Sequence, residues 1–255
     1  LVLGAGPSGL ETAAALRHLD CPVTVIDARE HPLPRHLDPD MARPVNAYLA
    51  EIGVDLLCGA TLTAVHGEHR LSAATVNGDT LDADLLVLAA GRTPDTAAAA
   101  VAGADAESGG IVVNQRMETT LQGVFAAGDC VRTTALMDGR PFAARLATTA
   151  WAQGAVAGAN AAGGSQAYPG ATGAFVSRIG DIEVASVGYT AAGAAHAGYD
   201  TGFGRLADTT TPLWHPHALP VTVKVVADRA TRRVLGAQAV GQTGAMWRVN
   251  MVSAA

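Results

Sequence analysis

The sequence contains little charge, few aromatic residues and almost no lysine. Charged residues make up 16% of the 255 positions and aromatic residues 4%, and Lys224 is the only lysine. With 49% hydrophobic residues, this composition excludes an intrinsically disordered chain, because disorder goes with many charges and few apolar side chains. The formal net charge of −6 argues against anionic partners, so we expect neither nucleic acid nor a membrane surface as a partner.

The sequence also shows no long apolar run, no signal-peptide pattern and no cysteine pairing. The longest strand-like apolar run covers residues 85–90, far short of the roughly 18 residues that span a bilayer. Cys21, Cys58 and Cys130 have no CxxC spacing, which indicates reduced thiols in a cytoplasmic protein. The histidine pairs at 66/69 and 215/217 have no cysteine or carboxylate at a useful spacing, so we predict no metal site.

The first hundred residues alternate between strand and helix patterns. Strands are predicted over 1–3, 23–27, 54–58, 61–65, 71–76 and 85–90, and helices over 10–19 and 39–52. The continuous apolar run at 85–90 is typical of a parallel strand covered on both faces. Strand–helix–strand order of this kind predicts an α/β sheet.

The pattern changes after residue 105. A strand pair at 111–113 and 124–127 precedes a helix of small residues at 144–162, which Gly163 and Gly164 end. Strands then follow at 174–177, 183–189, 221–227 and 234–240, with a short helix at 190–197. We therefore divide the chain into three predicted domains, 1–104, 105–165 and 166–255.

A glycine-rich loop follows the first predicted strand and opens the first helix. In Gly4-x-Gly6-x-x-Gly9, the first glycine allows a tight turn, the second lets a pyrophosphate approach the backbone, and the third lets helix and strand pack closely. The helix N-terminus adds unpaired N–H groups and positive potential. The pattern predicts a dinucleotide site in the first domain.

Asp27 supports this prediction, because it ends the second strand 18 residues after Gly9, near the usual spacing of about 20. A carboxylate there accepts hydrogen bonds from the adenosine ribose and repels a 2′-phosphate, which favours NAD over NADP. Arg29 is close by and keeps the NADP alternative open.

A second group of polar residues lies further along. The segment 119–129 is predicted to deliver Asp129 at the Gly128 turn, where its carboxylate can bind a polyol hydroxyl. Ala90 and Gly91 form another turn after a strand.

These motifs, in this order, resemble the pyridine nucleotide-disulfide oxidoreductase family, in particular the branch of NADH oxidases and coenzyme A-disulfide reductases. The resemblance covers almost the whole chain. It rests on Gly-Ala-Gly-Pro-Ser-Gly-Leu-Glu at 4–11, Leu-Pro-Arg-His-Leu-Asp-Pro-Asp-Met at 33–41, Leu-Ala-Ala-Gly-Arg-Thr-Pro-Asp at 88–95, the segment 119–129, Leu146-Ala147 and Leu-Gly-Ala-Gln-Ala-Val-Gly at 235–241.

The resemblance implies an α/β fold in three parts: a Rossmann-like NAD domain, a three-layer returning segment of an FAD domain, and an α+β interface domain truncated at its C-terminus. It implies a fragment of a homodimeric enzyme that lacks the N-terminal half of the FAD domain. FAD and NAD(H) are the implied cofactors, and a small molecule or a disulfide is the implied electron acceptor. The implied cofactor-binding residues are Gly4, Gly6, Pro7, Ser8, Gly9, Glu11, Asp27, Ala28, Arg29, Ala90, Gly91, Gly128, Asp129, Leu146 and Ala147.

Two departures from the family pattern and several alternatives accompany the resemblance. Pro7 and Ser8 stand where the family places a tyrosine over the flavin. Trp214-His215-Pro216-His217 stands where relatives carry a tyrosine pair. His215 is a candidate proton donor. Glu11 is either a cofactor contact or a surface residue of the helix. A ferredoxin or rubredoxin reductase, or a non-catalytic NAD-binding and dimerisation module, are the alternative functions.

Overall fold

The computed structural model describes residues 1–107 and 109–254. Within these ranges the chain forms two compact units, one of residues 1–91 and 175–255 and one of residues 92–174. The first unit is thus built from two separate stretches of sequence.

The first stretch forms a four-stranded parallel sheet with strand order β3-β2-β1-β7. A three-stranded antiparallel sheet, β4-β5-β6, lies between β3 and β7 in the chain. The elements are β1 (Val2–Leu3), α1 (Pro7–His18), β2 (Val23–Asp27), α2 (Pro39–Glu51), β3 (Val54–Cys58), β4 (Leu62–His66), β5 (Ala73–Val76), β6 (Asp79–Asp82) and β7 (Val87–Leu88).

The sequence predicted most of this part, but strand β6 was not predicted and one predicted strand is wrong. Strands β2 and β3 have the predicted bounds, and the Asn77-Gly78 turn joins β5 to β6 with positive φ at both residues. The run 85–90 was predicted as a strand covered on both faces, which is wrong: β7 has two residues and pairs with β1 at the edge of the sheet. Leu85 and Leu88 are largely exposed.

The second unit contains a small sheet and one long helix. The sheet has the order β11-β10-β9-β8, and its apolar core includes Ile111, Met117 and Val131 with Val156 from the helix. The predicted strand at 124–127 is wrong, since Phe125 makes only an isolated bridge with Glu118. The next strand in the chain, β10, begins at Val131. The elements are α3 (Ala97–Val101), β8 (Ala106–Glu107), β9 (Gly110–Val112), β10 (Val131–Thr134), β11 (Pro141–Phe142) and α4 (Ala147–Ala161).

The second stretch of the first unit forms a five-stranded antiparallel sheet with order β12-β13-β16-β15-β14. Helix α6 packs on β13 and β16, and α2 packs against β16, so β16 at the centre is almost wholly buried. The elements are β12 (Phe175–Ile179), β13 (Ile182–Gly188), α5 (Ala191–His196), β14 (Thr201–Thr209), β15 (Pro220–Asp228), β16 (Val234–Gly241) and α6 (Ala245–Ser253). The nine-residue strand β14 was not predicted.

Candidate functional site: a glycine loop at the ends of three parallel strands

The glycine loop connects β1 to α1 and lies where three parallel strands end. Gly4 has a φ of +112°, which side chains rarely adopt. A β-carbon there would overlap the carbonyl oxygen of Ala89, so the loop and the end of β7 touch through backbone atoms. The Gly4 N–H also donates to the Ile26 carbonyl of β2 at 2.7 Å. The loop is therefore tied to both strands that flank β1.

Gly6 and Gly9 have opposite surroundings. A β-carbon on Gly9 would overlap the carbonyl oxygen of Gly4, which brings the first turn of α1 against the loop. A β-carbon on Gly6 would meet nothing within 4 Å. The second glycine of the motif therefore faces open space, as it must if a ligand is to approach the backbone there.

Helix α1 begins without a side-chain cap. Gly6 is its N-cap and Pro7 its first residue, and proline is favoured there because its missing N–H would have no partner in the helix. The N–H groups of Ser8 and Gly9 belong to the first turn, where the helix itself offers no acceptor. This end of α1 thus presents donors and positive potential beside the open space at Gly6.

The Asp27 carboxylate is buried and binds backbone on two sides. Its Oδ2 accepts from the Ala5 N–H at 2.7 Å and its Oδ1 from the Arg29 N–H at 2.9 Å. Ala28 and Arg29 follow on the surface. Cys58, predicted only as a reduced thiol, lies directly opposite Asp27 in the β2–β3 ladder. Burial and then the Asp27 charge raise the pKa of its thiol.

The structure brings the first set of predicted residues together. Gly4–Gly9, Asp27–Arg29 and Ala90-Gly91 follow β1, β2 and β7, which are neighbours in the sheet. Glu11 lies one turn into α1, and its Oε1 accepts a 2.6 Å hydrogen bond from the hydroxyl of the buried Ser177 in β12. His215 has local contacts: its N–H donates to Pro212 O and its Nδ1 accepts from the His217 N–H.

The remaining predicted residues lie in the second unit, near the start of α4. Gly128 has a φ of +93°, and its N–H donates at 2.9 Å to the side chain of the buried Gln153 in α4. Leu146 caps α4 and Ala147 is its first residue. Sequence reasoning placed Gln153 on this helix but did not foresee that it holds the Gly128 turn.

A cleft of about 270 Å³ opens beside this turn. Arg92 and Asp129 face each other at 3.6 Å, and Arg145 donates to the Arg92 carbonyl. The buried Nε of Arg145 has no hydrogen-bond partner among the described residues. The lining residues are Arg92, Thr93, Pro94, Asp95, Asp129, Cys130 and Arg145.

Neither a metal cluster nor a membrane-spanning helix is found in the described part of the chain. No group of three or more histidine, cysteine or acidic residues could hold a metal ion within residues 1–107 and 109–254. Over the same residues, no helix has the length and apolarity to cross a bilayer.

The chain has a parallel sheet with a glycine loop between its first strand and first helix, an arrangement typical of dinucleotide-binding domains, and a five-stranded antiparallel sheet that comes later in the sequence. Comparison with known families agrees with this class. The pyridine nucleotide-disulphide oxidoreductase model matches residues 1–154, and that family's dimerisation-domain model matches residues 177–255. The chain belongs to the pyridine nucleotide-disulphide oxidoreductase family.

Individual relatives are similar over the whole chain. An NADH oxidase of Methanocaldococcus jannaschii is 32% identical over 254 residues, which are 100% of this chain and 56% of the relative. A NAD-dependent persulfide reductase from A. fulgidus superposes with a TM-score of 0.95 at 32% identity, covering 99% of this chain and 47% of the other. A water-forming NADH oxidase from Lactobacillus brevis, bound to NADH, gives a TM-score of 0.92 at 26% identity, covering 98% and 56%. The chain thus spans about half the length of these relatives.

Proposed function

We propose that the chain is the NADH-binding and dimerisation part of an FAD-dependent oxidoreductase that transfers a hydride from NADH to flavin and on to a disulfide or oxygen. The observation that carries the proposal is the open space at Gly6, beside the N-terminus of α1 and the Asp27 carboxylate. The relatives named as NADH oxidase and persulfide reductase support the reaction class.

The residues around Gly6 fit a dinucleotide. The pyrophosphate would lie over Gly6, where the N–H groups of Ser8 and Gly9 can donate to it. Each Asp27 oxygen already accepts one backbone N–H, and a carboxylate oxygen has two lone pairs. Asp27 therefore retains acceptor capacity for the ribose hydroxyls.

The charge at this site favours NADH over NADPH. Asp27 is the buried carboxylate at the end of β2, and a 2′-phosphate placed against it would meet like charge. Arg29 is exposed and is the one neighbouring side chain in the segment 27–29 that could offset this repulsion. We rank NADH first because the carboxylate is held in place, whereas an exposed arginine is free to move away.

The cleft in the second unit fits part of a flavin nucleotide. Asp129 can accept from ribityl hydroxyls, and the unpartnered Arg145 Nε is a buried donor whose desolvation a ligand acceptor would offset. The N-terminus of α4 at Leu146 and Ala147 supplies positive potential for a negatively charged ring. When bound, the flavin supplies the redox chemistry itself.

We also propose that the antiparallel domain forms a homodimer. It matches a dimerisation-domain model, and the large apolar side chains it exposes include those of the β14–β15 loop and of helix α6. In the loop, Leu213 and Trp214 are 81% and 82% exposed; on α6, Trp247 and Met251 are 66% and 69% exposed. Sedimentation equilibrium tests this: a dimer is expected, and a monomer at all concentrations would contradict it.

The deciding experiment is calorimetric titration of the folded chain with NADH and with NADPH. We expect saturable NADH binding and weaker NADPH binding. Gly6→Ala serves as the matched variant, because it adds a methyl group only to the open space over the loop. A folded chain that binds neither nucleotide, or a Gly6→Ala variant that binds NADH as the parent does, would overturn the proposal.

A further inference from the structure

We propose that Gln238 and Lys224, in the antiparallel sheet, are positioning residues for the glycine loop: through Asp38 they hold the segment 28–38, which in turn holds Ala5 in the conformation that binds the dinucleotide. This inference rests on the proposed NADH function. It concerns residues that belong neither to the loop nor to the strands that carry it.

Both backbone polar groups of Ala5 make hydrogen bonds. Its N–H donates to Asp27 Oδ2 at 2.7 Å, and its carbonyl accepts from the Leu33 N–H at 3.0 Å. The peptide groups that flank Ala5 are thus fixed on one side by the end of β2 and on the other by the segment 28–38. Displacement of Leu33 would release one of these two holds.

The backbone of Leu33 has an unfavourable conformation. It has a φ of +55°, a left-handed conformation that costs energy for a residue with a β-carbon. Its carbonyl accepts from the N–H groups of His36 and Leu37 at 2.8 and 2.9 Å, which forms a tight turn. Such a conformation persists only where flanking contacts determine it.

Five residues further on, Asp38 anchors the segment 28–38 to the antiparallel sheet. The Asp38 N–H donates to Gln238 Oε1 at 2.7 Å, and Gln238 Nε2 donates back to Asp38 Oδ2 at 2.7 Å. Lys224 Nζ lies 3.0 Å from the same Oδ2 and donates to Asp40 Oδ1 at 2.7 Å. Gln238 and Lys224 face each other in the β15–β16 ladder. Side chains from two neighbouring strands therefore bind the same aspartate.

Burial makes the hydrogen bonds of this anchor costly to break. Gln238, Lys224 and Asp38 are 1%, 3% and 3% exposed, and buried polar groups are costly to leave without partners. The Asp38 carboxylate also accepts from the N–H groups of Ala191 and Ala192 at 3.1 and 3.3 Å. The segment is therefore fixed to the antiparallel sheet at its far end, Asp38, and to the glycine loop at its middle, Leu33.

The anchor at Asp38 should affect NADH binding through the fraction of molecules whose glycine loop has the binding conformation. If the anchor is loosened, Leu33 can leave its left-handed conformation, and the loop samples arrangements that do not bind. The apparent Kd rises in inverse proportion to the fraction of loops in the binding conformation. Loss of the Gln238 contacts should then weaken NADH binding although Gln238 does not touch the nucleotide site.

The test compares Gln238→Leu with Thr222→Val in the whole chain. Thr222 is buried on β15, two residues before Lys224, and takes no part in the hydrogen bonds described above. Two quantities are measured for each: the NADH Kd by calorimetry, and hydrogen exchange in the peptide containing Ala5. Gln238→Asn, which keeps the amide but withdraws it by one methylene, replaces Gln238→Leu if that variant does not fold.

We expect Gln238→Leu to raise the Kd about tenfold, as for the loss of a net hydrogen-bond contribution, and to accelerate exchange at Ala5. Thr222→Val should leave both unchanged at equal loss of thermal stability. The inference is overturned if Gln238→Leu changes neither quantity, or if Thr222→Val changes both to the same degree. If the parent chain does not bind NADH, the proposed function fails, and the exchange measurement still decides whether Gln238 positions the loop.

Discussion

The carboxylate of Asp27 accepts the amide proton of Ala5 across 2.7 Å, so the residue predicted to read the ribose also fastens the loop predicted to bind the pyrophosphate. Ribose recognition and loop geometry therefore depend on the same side chain.

Because of this shared role, Asp27→Asn should weaken binding of both NADH and NADPH and should not simply exchange one for the other. The amide offers one acceptor oxygen for two backbone donors, so either Ala5 or Arg29 loses its partner. We expect a loss of stability of about 1–3 kcal/mol and a higher Kd for each nucleotide, measured by denaturant unfolding and calorimetry. Asp55→Asn, on the exposed side of β3, is the control; a clean switch to NADPH at full stability would refute the shared role.

Gly6→Ala and Gly9→Ala should separate binding from folding. Gly6 has room for a methyl group and a φ of −79°, so its variant should keep the parent's stability within about 0.5 kcal/mol and lose NADH affinity. Gly9→Ala would force a β-carbon into the Gly4 carbonyl and should destabilise the fold by about 1–3 kcal/mol. Chemical denaturation of both variants checks this, and equal stabilities would show that the close approach at Gly9 is not real.

His36 should make stability fall as the pH is lowered from neutrality. Its ring stacks on Phe175 at 3.7 Å and contacts the Ser186 hydroxyl. Burial, and then the charge of Arg35, lower the pKa of His36 from 6.5 to about 4. Protonation thus favours the unfolded chain, and the stability present above pH 6.5 is lost progressively as the pH falls toward 4. The loss is of the order of 3 kcal/mol.

Unfolding free energies of the parent and of His36→Gln between pH 4 and 7 measure this effect. The variant should show a flatter pH dependence than the parent. Parallel curves would mean that His36 titrates as it does in the unfolded chain.

The Glu11–Ser177 hydrogen bond should appear as a coupling energy. Its two atoms are 2.6 Å apart and join α1 to β12. A double-mutant cycle with Glu11→Ala and Ser177→Ala, each of which removes one partner of the bond, should give a coupling of about 1 kcal/mol in unfolding experiments. If Glu11→Ala also raises the NADH Kd while Ser177→Ala does not, Glu11 contacts the cofactor as well; additive effects on stability would contradict the observed bond.

The sequence predicted those features that depend on residues close together in the chain. β2 and β3 are bounded by turn residues and have the predicted ends, and the glycine loop with Asp27 lies within 30 residues of sequence. The run 85–90 misled because apolar composition does not say whether a strand is central or at an edge. β14 was missed because Gly202 and Gly204 interrupt its alternation.

Contacts between distant parts of the sequence could not be predicted. Asp38 meets Lys224 and Gln238 across most of the chain, and only the tertiary fold determines that pairing. A single lysine inside the apolar strand β15 was the available signal, since a buried ammonium group requires a carboxylate partner. That signal indicates a partner but not which of the 23 acidic residues supplies it.

The division of the first unit into residues 1–91 and 175–255 has a consequence for synthesis. The strand β12, which Ser177 and Phe175 join to α1 and His36, leaves the ribosome only after the whole second unit has been made. At 5–20 residues per second, the apolar side of α2 and the side chain of Asp38 wait roughly 10–40 seconds for the sheet that covers them. During that interval the apolar face of α2, which packs on β16 in the finished protein, is exposed to solvent.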